Sequence, residues 1–325
     1  MQIGMKKIIG IGNALVDVLV KVENEAILSE LQLPKGSMQL VDTEGYRVIG
    51  QKLSEMTTQL ATGGSAANTM LALGNLQAEP AFIGKVGPDA YGRFFSENAR
   101  EHGITSHLLS DVLPTGVAST FITPDGQRTF GTYLGAAARL TPDELREEWF
   151  EGYDFFYIEG YLVQNHALID KAVAMAHAAG LKVCLDLASY NIVEADRDFF
   201  AELLAKTDIV FANEEEAFAF TGKNPREALD ELAALCETAV VKTGKDGAWV
   251  SRNGETVKVA AAPVDEVVDT TGAGDYFAAG FLYGMADGRS LAECARLGSL
   301  LAGKVIQTVG TSLPENVWQE VKAAI

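Results

Sequence analysis

Asp275 stands where strand-like residues give way to a helical pattern, directly after two closely spaced glycines. The surrounding segment reads VVDTTGAGDYFAAGFLYG and occupies residues 267–284. Phe277 and Phe281 in its second half and Met285 directly after it recur at helical spacing, which predicts one buried helix face. The glycines therefore lie at the junction between a strand and a helix.

Gly272 and Gly274 permit a particular chemistry at this junction. Without a Cβ, the backbone lets successive N–H groups at a helix start point at one anion, which would stabilise charge on a phosphoryl group in transfer. A carboxylate repels phosphate, so a loop that only binds phosphate gains nothing from Asp275, whereas a general base for an attacking hydroxyl belongs there. A tight turn in which Asp275 only stabilises the helix dipole fits this segment equally well.

Other segments that resemble cofactor motifs lack a required residue. Gly10 and Gly12 are followed by Leu15 where a dinucleotide fingerprint needs a small residue. A P-loop needs Ser or Thr after Gly-Lys, but the residues after the four Gly-Lys pairs are Val86, Asn224, Asp246 and Val305. The four histidines form no i,i+4 pair and have no nearby cysteine. These patterns argue against a nicotinamide-dependent enzyme, a P-loop enzyme and a histidine metal site.

Composition excludes further classes of function. The 325 residues include 26 Lys and Arg against 44 Asp and Glu, a formal net charge of −18, which disfavours nucleic-acid and anionic-membrane partners. A hydrophobic content of 48% and a charged content of 22% are typical of a globular chain. The length predicts one large domain, alone or with a second small one.

The cysteines and the apolar segments indicate a cytoplasmic protein. Cys184, Cys236 and Cys294 are too few and too widely spaced for a disulfide framework or a zinc cluster. The apolar run over 8–22 is interrupted by polar residues and precedes no cleavage site, so we interpret it as a buried strand and not as a signal peptide. No uninterrupted apolar segment reaches the length of a membrane-spanning helix.

Beyond residue 150, strand-like segments alternate with helical ones. The strands are DFFYIEG, LKVCLDL and DIVFA, and the helices cover 166–179, 196–204 and a stretch from 214 onward. This alternation predicts right-handed βαβ units and a mainly parallel sheet with helices on both faces, a three-layer α/β/α fold.

Two hairpin-like stretches, residues 14–46 and 104–135, interrupt the alternation. The second contains Pro124-Asp125-Gly126, a turn between strand-like residues. We expect these stretches to form a small β-rich lid, and residues 1–13, 47–103 and 136–325 to form the large α/β domain.

Taken together, the motifs resemble those of the ribokinase-like (PfkB) sugar and nucleoside kinases, over essentially the whole chain. DTTGAGD followed by an aromatic residue and FAAGF is similar to the family's C-terminal signature, and GGSAANTMLALGNL over 63–76 is similar to its N-terminal one. GNALVDV, the NEEE segment at 213–216 and KTGKDG at 242–247 follow in the family's order. The resemblance favours the catalytic interpretation of Asp275 over the turn interpretation.

The resemblance implies a role for each matching residue. Asp275 would be the base, and the backbone of Gly272, Ala273 and Gly274 would bind the γ-phosphate. The remaining roles are sugar binding by Asp17, Gly63, Gly64 and Asn68; Mg²⁺ and phosphate organisation, through water, by Asn213 and Glu216; ATP binding by Thr243, Gly244, Gly247 and Ser299; and a monovalent-cation site, seen in part of the family, at Asp269 and Thr271.

The resemblance also implies ATP and Mg²⁺, with K⁺ in part of the family, a large domain that binds the nucleotide and a lid over the substrate. Asp17 and Gly63 are 46 positions apart, and this long interval resembles the adenosine kinases, which favours transfer of the γ-phosphoryl of ATP to the 5′-hydroxyl of a nucleoside. A sugar such as ribose or fructose is the alternative acceptor, and a non-catalytic nucleoside or nucleotide sensor is the alternative from another class. Both a monomer and a homodimer are compatible with the pattern.

Overall fold

The structure, a computed structural model, describes residues 4–325 and contains two β-sheets. In chain order the strands are β1 (Ile8–Ile11), β2 (Leu15–Lys21), β3 (Met38–Leu40), β4 (Gln59–Gly63), β5 (Ala81–Val86), β6 (Thr105–Ser110), β7 (Gly116–Ile122), β8 (Arg128–Tyr133), β9 (Phe155–Glu159), β10 (Lys182–Asp186), β11 (Ile209–Asn213), β12 (Thr238–Lys242), β13 (Ala248–Arg252) and β14 (Glu255–Val259).

The helices connect these strands and cover them. They are α1 (Ala26–Glu30), α2 (Thr43–Leu53), α3 (Ser65–Asn75), α4 (Ala90–Glu101), α5 (His166–Ala178), α6 (Tyr190–Ala195), α7 (Arg197–Leu204), α8 (Glu214–Thr221), α9 (Pro225–Leu235), α10 (Ala273–Ala286), α11 (Leu291–Val305) and α12 (Glu315–Ala324). None of the helices in residues 4–325 is both long and apolar enough to cross a lipid bilayer.

The large sheet has the order β14-β13-β12-β11-β10-β9-β1-β5-β6 within the described residues. From β12 to β6 every neighbouring pair is parallel, and only β13 and β14 run antiparallel to their neighbours. The central strands are buried on both faces, with one apolar cluster on each side of the sheet. This confirms the predicted three-layer α/β/α fold, because strands apolar on both faces must be covered twice.

The small sheet has the order β3-β8-β7-β2-β4. In β2, Val16, Val18 and Val20 are buried, while Asp17 alternates with them and is partly exposed. Helix α2 packs behind the sheet against β8. The predicted turn at 124–126 joins β7 to β8, which are antiparallel as expected for a hairpin.

Sheet pairing corrects the expected domain boundaries at two strands. Strand β4, expected in the large domain within 47–103, pairs antiparallel with β2 and belongs to the small sheet. Strand β6, expected in the lid within 104–135, pairs parallel with β5 and is the edge of the large sheet. Both errors have one cause: local pattern predicts a strand, but the partner of that strand is chosen by tertiary packing.

Candidate active site

The junction before α10 has the backbone conformation that its glycines make possible. Gly272 has a φ of +76°, in the left-handed region, and a Cβ there would lie 2.6 Å from the Thr311 side chain. The Ala273 amide donates to the Thr270 carbonyl at 3.2 Å. The amide of Gly274 follows at the open start of the helix, where N–H groups have no partner within the helix.

The Asp275 carboxylate is half-buried and held by the first turn of α3. Its Oδ1 accepts a hydrogen bond from Ser65 Oγ at 2.7 Å, and its Oδ2 accepts one from Asn68 Nδ2 at 2.9 Å. Burial raises the pKa of Asp275 to about 6, although the hydrogen bonds from Asn68 and Ser65 oppose this shift. The structure thus brings Asn68, from one signature, onto Asp275, from the other, and leaves Asn68 Oδ1 without a hydrogen-bond donor among residues 4–325.

Asp17 lies beside the two glycines that begin the N-terminal signature. A Cβ on Gly63 would stand 2.2 Å from Asp17 Oδ1, and one on Gly64, whose φ is +96°, would stand 2.0 Å from the Asn13 carbonyl oxygen. Burial and the neighbouring Asp275 carboxylate raise the pKa of Asp17 to about 7. The predicted sugar-binding residues therefore converge on the predicted base.

Glu159, which the sequence analysis did not select, connects the end of β9 to the two segments that carry Asp17 and Asn68 through hydrogen bonds. At the end of β9 it accepts hydrogen bonds from the Asn13 and Ala66 amides, each at 3.0 Å, and from the Asn13 side chain. It is 1% exposed, and burial raises its pKa to about 7. A charged residue that ends the apolar strand FFYIE is the signal that could have identified it.

Arg128, on strand β8 of the small sheet, reaches the large domain. Its Nη1 lies 2.5 Å from Asp269 Oδ2. The Asp269 carboxylate also accepts hydrogen bonds from the Thr271 amide at 3.0 Å and the Gly310 amide at 2.8 Å. The side chain predicted to bind a monovalent cation is therefore already neutralised by a guanidinium. The sequence signal was an arginine in the hairpin, at QRTF.

Asn213 and Glu216 form a capping box at the start of α8. The Asn213 amide donates to Glu216 Oε2 and its side-chain nitrogen donates to Oε1, both at 2.7 Å, while the Glu216 amide donates back to Asn213 Oδ1 at 2.8 Å. Glu216 is 3% exposed, and burial together with the Asp186 carboxylate raises its pKa to about 7.

Lys242 and Asp186, to which the sequence analysis gave no role, form a largely buried ion pair between α8 and α10. Lys242 Nζ lies 3.0 Å from Asp186 Oδ2. Both residues end parallel strands, β12 and β10, at the edge where such sheets place their functional side chains. Lys242 is the first residue of the KTGKDG segment, but the sequence analysis gave a role only to the threonine and the glycines that follow it.

The predicted ATP-binding residues occupy two neighbouring places. Thr243 donates to the Gly247 carbonyl through its amide at 2.8 Å and its hydroxyl at 3.0 Å, which closes a tight turn directly after Lys242. Gly247 has a φ of +89°, with no room for a Cβ against Val259. Ser299, on α11, bonds to the backbone of Ala260 and Ala262 and lines an open groove there.

Comparisons with known proteins identify the family of this chain. Residues 37–318 match the family described as pfkB family carbohydrate kinase. Adenosine kinase 2 of Arabidopsis thaliana is 28% identical, with 95% of this chain and 96% of the relative aligned.

Two crystal structures are similar over nearly their full lengths. The adenosine kinase from Sinorhizobium meliloti is 35% identical with a TM-score of 0.88, covering 99% of this chain and 100% of that one. A probable sugar kinase from Rhizobium etli CFN 42 is also 35% identical with a TM-score of 0.88, covering 98% of each chain. The chain therefore belongs to the pfkB family of carbohydrate kinases, phosphotransferases with an alcohol acceptor, and falls with its adenosine kinase-like branch.

Proposed function

We propose that this enzyme transfers the γ-phosphoryl group of ATP to the 5′-hydroxyl of a nucleoside such as adenosine. The observation that carries the proposal is the convergence of Asp17, Asn68 and Asp275 at the start of α10. Ribose presents vicinal hydroxyls, and carboxylate and amide side chains suit them as partners. The similarity to adenosine kinases over the whole chain supports a nucleoside as the acceptor.

Asp275 would take the proton of the attacking hydroxyl while the γ-phosphoryl group moves in line from ATP to the acceptor oxygen and ADP leaves. Nucleophile activation contributes modestly in a loose transition state, so a carboxylate is basic enough. The amides at the start of α10, from Gly272 to Gly274, would stabilise charge on the phosphoryl oxygens. Gly63 and Gly64 would let the sugar approach Asp17 closely.

The nucleotide would lie along the turn formed by Thr243, Gly244 and Gly247, with its adenine near Ser299. Residues 4–325 contain no cluster of three or more metal-ligating side chains, which fits Mg²⁺ carried mainly by nucleotide phosphates and water. Both Glu216 oxygens already accept hydrogen bonds from Asn213, so Glu216 fits contact through water and not direct ligation. When bound, Mg²⁺ would neutralise phosphate charge during transfer.

A K⁺ ion does not fit the Asp269 side chain in this arrangement, because Arg128 and two backbone amides already occupy its carboxylate. We therefore assign no step to a monovalent cation at Asp269 and Thr271.

The small sheet would serve as a lid that excludes water, which otherwise competes with the acceptor for the phosphoryl group. The unpaired, buried cysteines support a reducing compartment, and we propose a cytoplasmic location.

A coupled assay of ADP formation with a matched panel of nucleosides and sugars tests the function. We expect adenosine or another nucleoside to give the highest kcat/KM. A preference for ribose or fructose would replace the nucleoside by a sugar, an alternative supported by the similar sugar kinase from Rhizobium etli. Nucleoside and nucleotide binding without ADP formation from any acceptor would instead indicate a sensor.

A further inference from the structure

The ammonium group of Lys242 lies against the helix start that carries the predicted base. A Cβ placed on Gly274 would stand 3.1 Å from Lys242 Nζ, and among residues 4–325 no other atom outside the chain neighbours and the backbone of α10 lies within 4 Å of that position. The Lys242 side chain is only 14% exposed, and its partner Asp186 only 8%. The charge is therefore held at the amide that opens α10, in a largely water-excluded place.

Fold stability does not explain a buried ion pair in this position. Taking two charges out of water costs about as much as their attraction returns, and apolar residues of similar volume are often as stabilising. Lys242 nevertheless sits among three carboxylates. Burial lowers the pKa of Lys242, but Asp186, Glu216 and Asp275 outweigh that effect and raise it, so the ammonium stays charged.

These carboxylates would repel a nucleoside triphosphate, so the site needs positive charge. Arg128, the cation next to Asp17, is already paired with Asp269. Lys242 is placed opposite Asn213 in the register of β11 and β12, and it directly precedes the Thr243-Gly244 turn. It thus lies between the proposed nucleotide turn, the capping box of α8 and the start of α10.

We propose that Lys242 is a further catalytic residue, which binds the terminal phosphoryl group of the nucleoside triphosphate with Asp186 as its resting partner. This inference rests on the proposed kinase function. During transfer the bond from γ-phosphorus to the bridging oxygen breaks and the bond to the acceptor oxygen forms. The acceptor proton goes to Asp275, and Lys242 keeps its own proton, acting as a point charge for the phosphate oxygens.

The direct test compares two nucleotides in the presence of Mg²⁺. Calorimetric titration of the wild type and Lys242→Met with ADP and with the β,γ-imido analogue of ATP isolates the contribution of the terminal phosphate. We expect the preference for the analogue over ADP to fall roughly 10-fold or more in Lys242→Met, and kcat/KM to fall roughly 10²–10³-fold, as when one donor to a transition-state anion is removed. Lys242→Arg should restore part of both.

Lys85→Met is the matched control, because Lys85 is also a buried lysine, 5% exposed on its side chain and paired with Glu144 at 2.7 Å, outside the proposed site. It should lower the melting temperature without changing the analogue preference. If Lys242→Met does not fold, the double variant Lys242→Met with Asp186→Asn removes both charges and leaves no unpaired one.

An analogue preference within about 2-fold of the wild type in the folded variant would overturn the proposal. A shift of the pH profile alone, with that preference intact, would also overturn it and would assign Lys242 only to the tuning of Asp275. If the wild type forms no ADP with any acceptor, the kinase function fails, and the binding ratio still reports whether Lys242 contacts the terminal phosphate.

Discussion

At the scale of single residues, the site is built from carboxylates whose surroundings favour the neutral form. Asp275 has a pKa near 6, and Asp17, Glu159 and Glu216 have pKa values near 7, in each case with burial as the largest cause. Asp275 alone among them has donors from α3 on both oxygens. A general base works best with a pKa close to the working pH, and burial, partly offset by these two hydrogen bonds, sets the pKa of Asp275.

Asp275→Asn should separate catalysis from binding. Asn keeps the shape of the side chain but accepts no proton, so we expect kcat to fall roughly 10²–10⁴-fold while the calorimetric Kd for the nucleoside changes little. Asp287→Asn, at the exposed end of the same helix, is the control. Near-normal turnover in Asp275→Asn would remove this residue from the role of base.

Ser65→Ala should move the pH dependence of the reaction. Asp275 must be ionised to act as base, so kcat/KM should decline as the pH falls through about 6. Removing the Ser65 hydroxyl takes a hydrogen bond from the carboxylate and raises its pKa, by about 1 unit if that bond contributes about 1.5 kcal/mol.

The measurement for Ser65→Ala is a profile of kcat/KM from pH 5 to 8.5, in which the acid limb should shift to higher pH while the plateau stays similar. Ser54→Ala, whose hydroxyl bonds only to the Gln51 carbonyl at the end of α2, should leave the profile unchanged. An unshifted limb in Ser65→Ala would show that another group controls it.

At the scale of elements, helix starts and strand ends bring together residues that are distant in the chain. Helices α3 and α10 begin side by side and cross-link through Asn68 and Asp275, 207 positions apart. The close approach depends on glycine: Gly64 before α3 and Gly272 before α10 both have positive φ and no space for a side chain.

Gly63→Ala should impair acceptor binding selectively. The added methyl group would stand 2.2 Å from Asp17 Oδ1, so the carboxylate must move. We expect the KM for the acceptor to rise roughly 10-fold, because loss of a charged hydrogen bond costs about 1.5 kcal/mol. The KM for ATP should stay near its original value. Steady-state kinetics with each substrate varied in turn provides the measurement.

Gly50→Ala in α2 is the matched substitution, because no atom of residues 4–325 lies within 4 Å of its Cβ position apart from its two chain neighbours and the backbone of its own helix. It should leave both KM values unchanged. Equal effects of Gly63→Ala on the two KM values would contradict a sugar-binding role for Asp17.

At the scale of the whole molecule, ionised carboxylates inside the fold and the net charge of −18 both destabilise the folded state through repulsion. Two contacts connect the small sheet to the large domain: the Arg128 to Asp269 ion pair and the hydrogen bond from the Thr311 hydroxyl to the Thr62 carbonyl. Protonation of buried acids and reduction of the overall negative charge both relieve repulsion in the compact state.

The free energy of unfolding should therefore fall as the pH rises from about 4 to 7. Glu159 has a pKa near 7 in the folded state and near 4.3 when unfolded, so the folded state holds more protons across this window. Stability is greatest below the unfolded pKa and declines until the pH exceeds the folded pKa, by on the order of 3 kcal/mol for this residue.

Thermal unfolding between pH 5 and 8 checks this expectation. The wild type should melt at a lower temperature at pH 8 than at pH 5.5. Glu159→Gln does not titrate and should flatten the dependence, whereas Glu55→Gln, at an exposed position, should not. A melting temperature that rises with pH over this range would contradict the buried-carboxylate account.

The sequence by itself determined the fold class and the family, and it predicted a role for most of the residues that meet in the candidate site. Alternation of apolar strands with helices predicts layers, because period and hydrophobicity are local properties. Gly272, Gly274 and Asp275 were recognisable because two glycines and a carboxylate at a helix start are compatible with an anion site, and the family resemblance favoured that interpretation over a simple turn. The resemblance also predicted that Asn68 lies near Asp275, because both signatures of the family contribute residues to one site.

Tertiary structure alone decided which strands pair and which charges meet. It placed β4 and β6 in the opposite sheets from those expected. It also joined residues far apart in the chain: Lys242 with Asp186, Glu159 with the start of α3, and Arg128 with Asp269. In the sequence, Arg128 looks like an ordinary surface cation, and Lys242 only begins the KTGKDG segment without an assigned role. The structure pairs them with Asp269 and Asp186 away from most of the solvent, and such burial depends on how the whole chain packs.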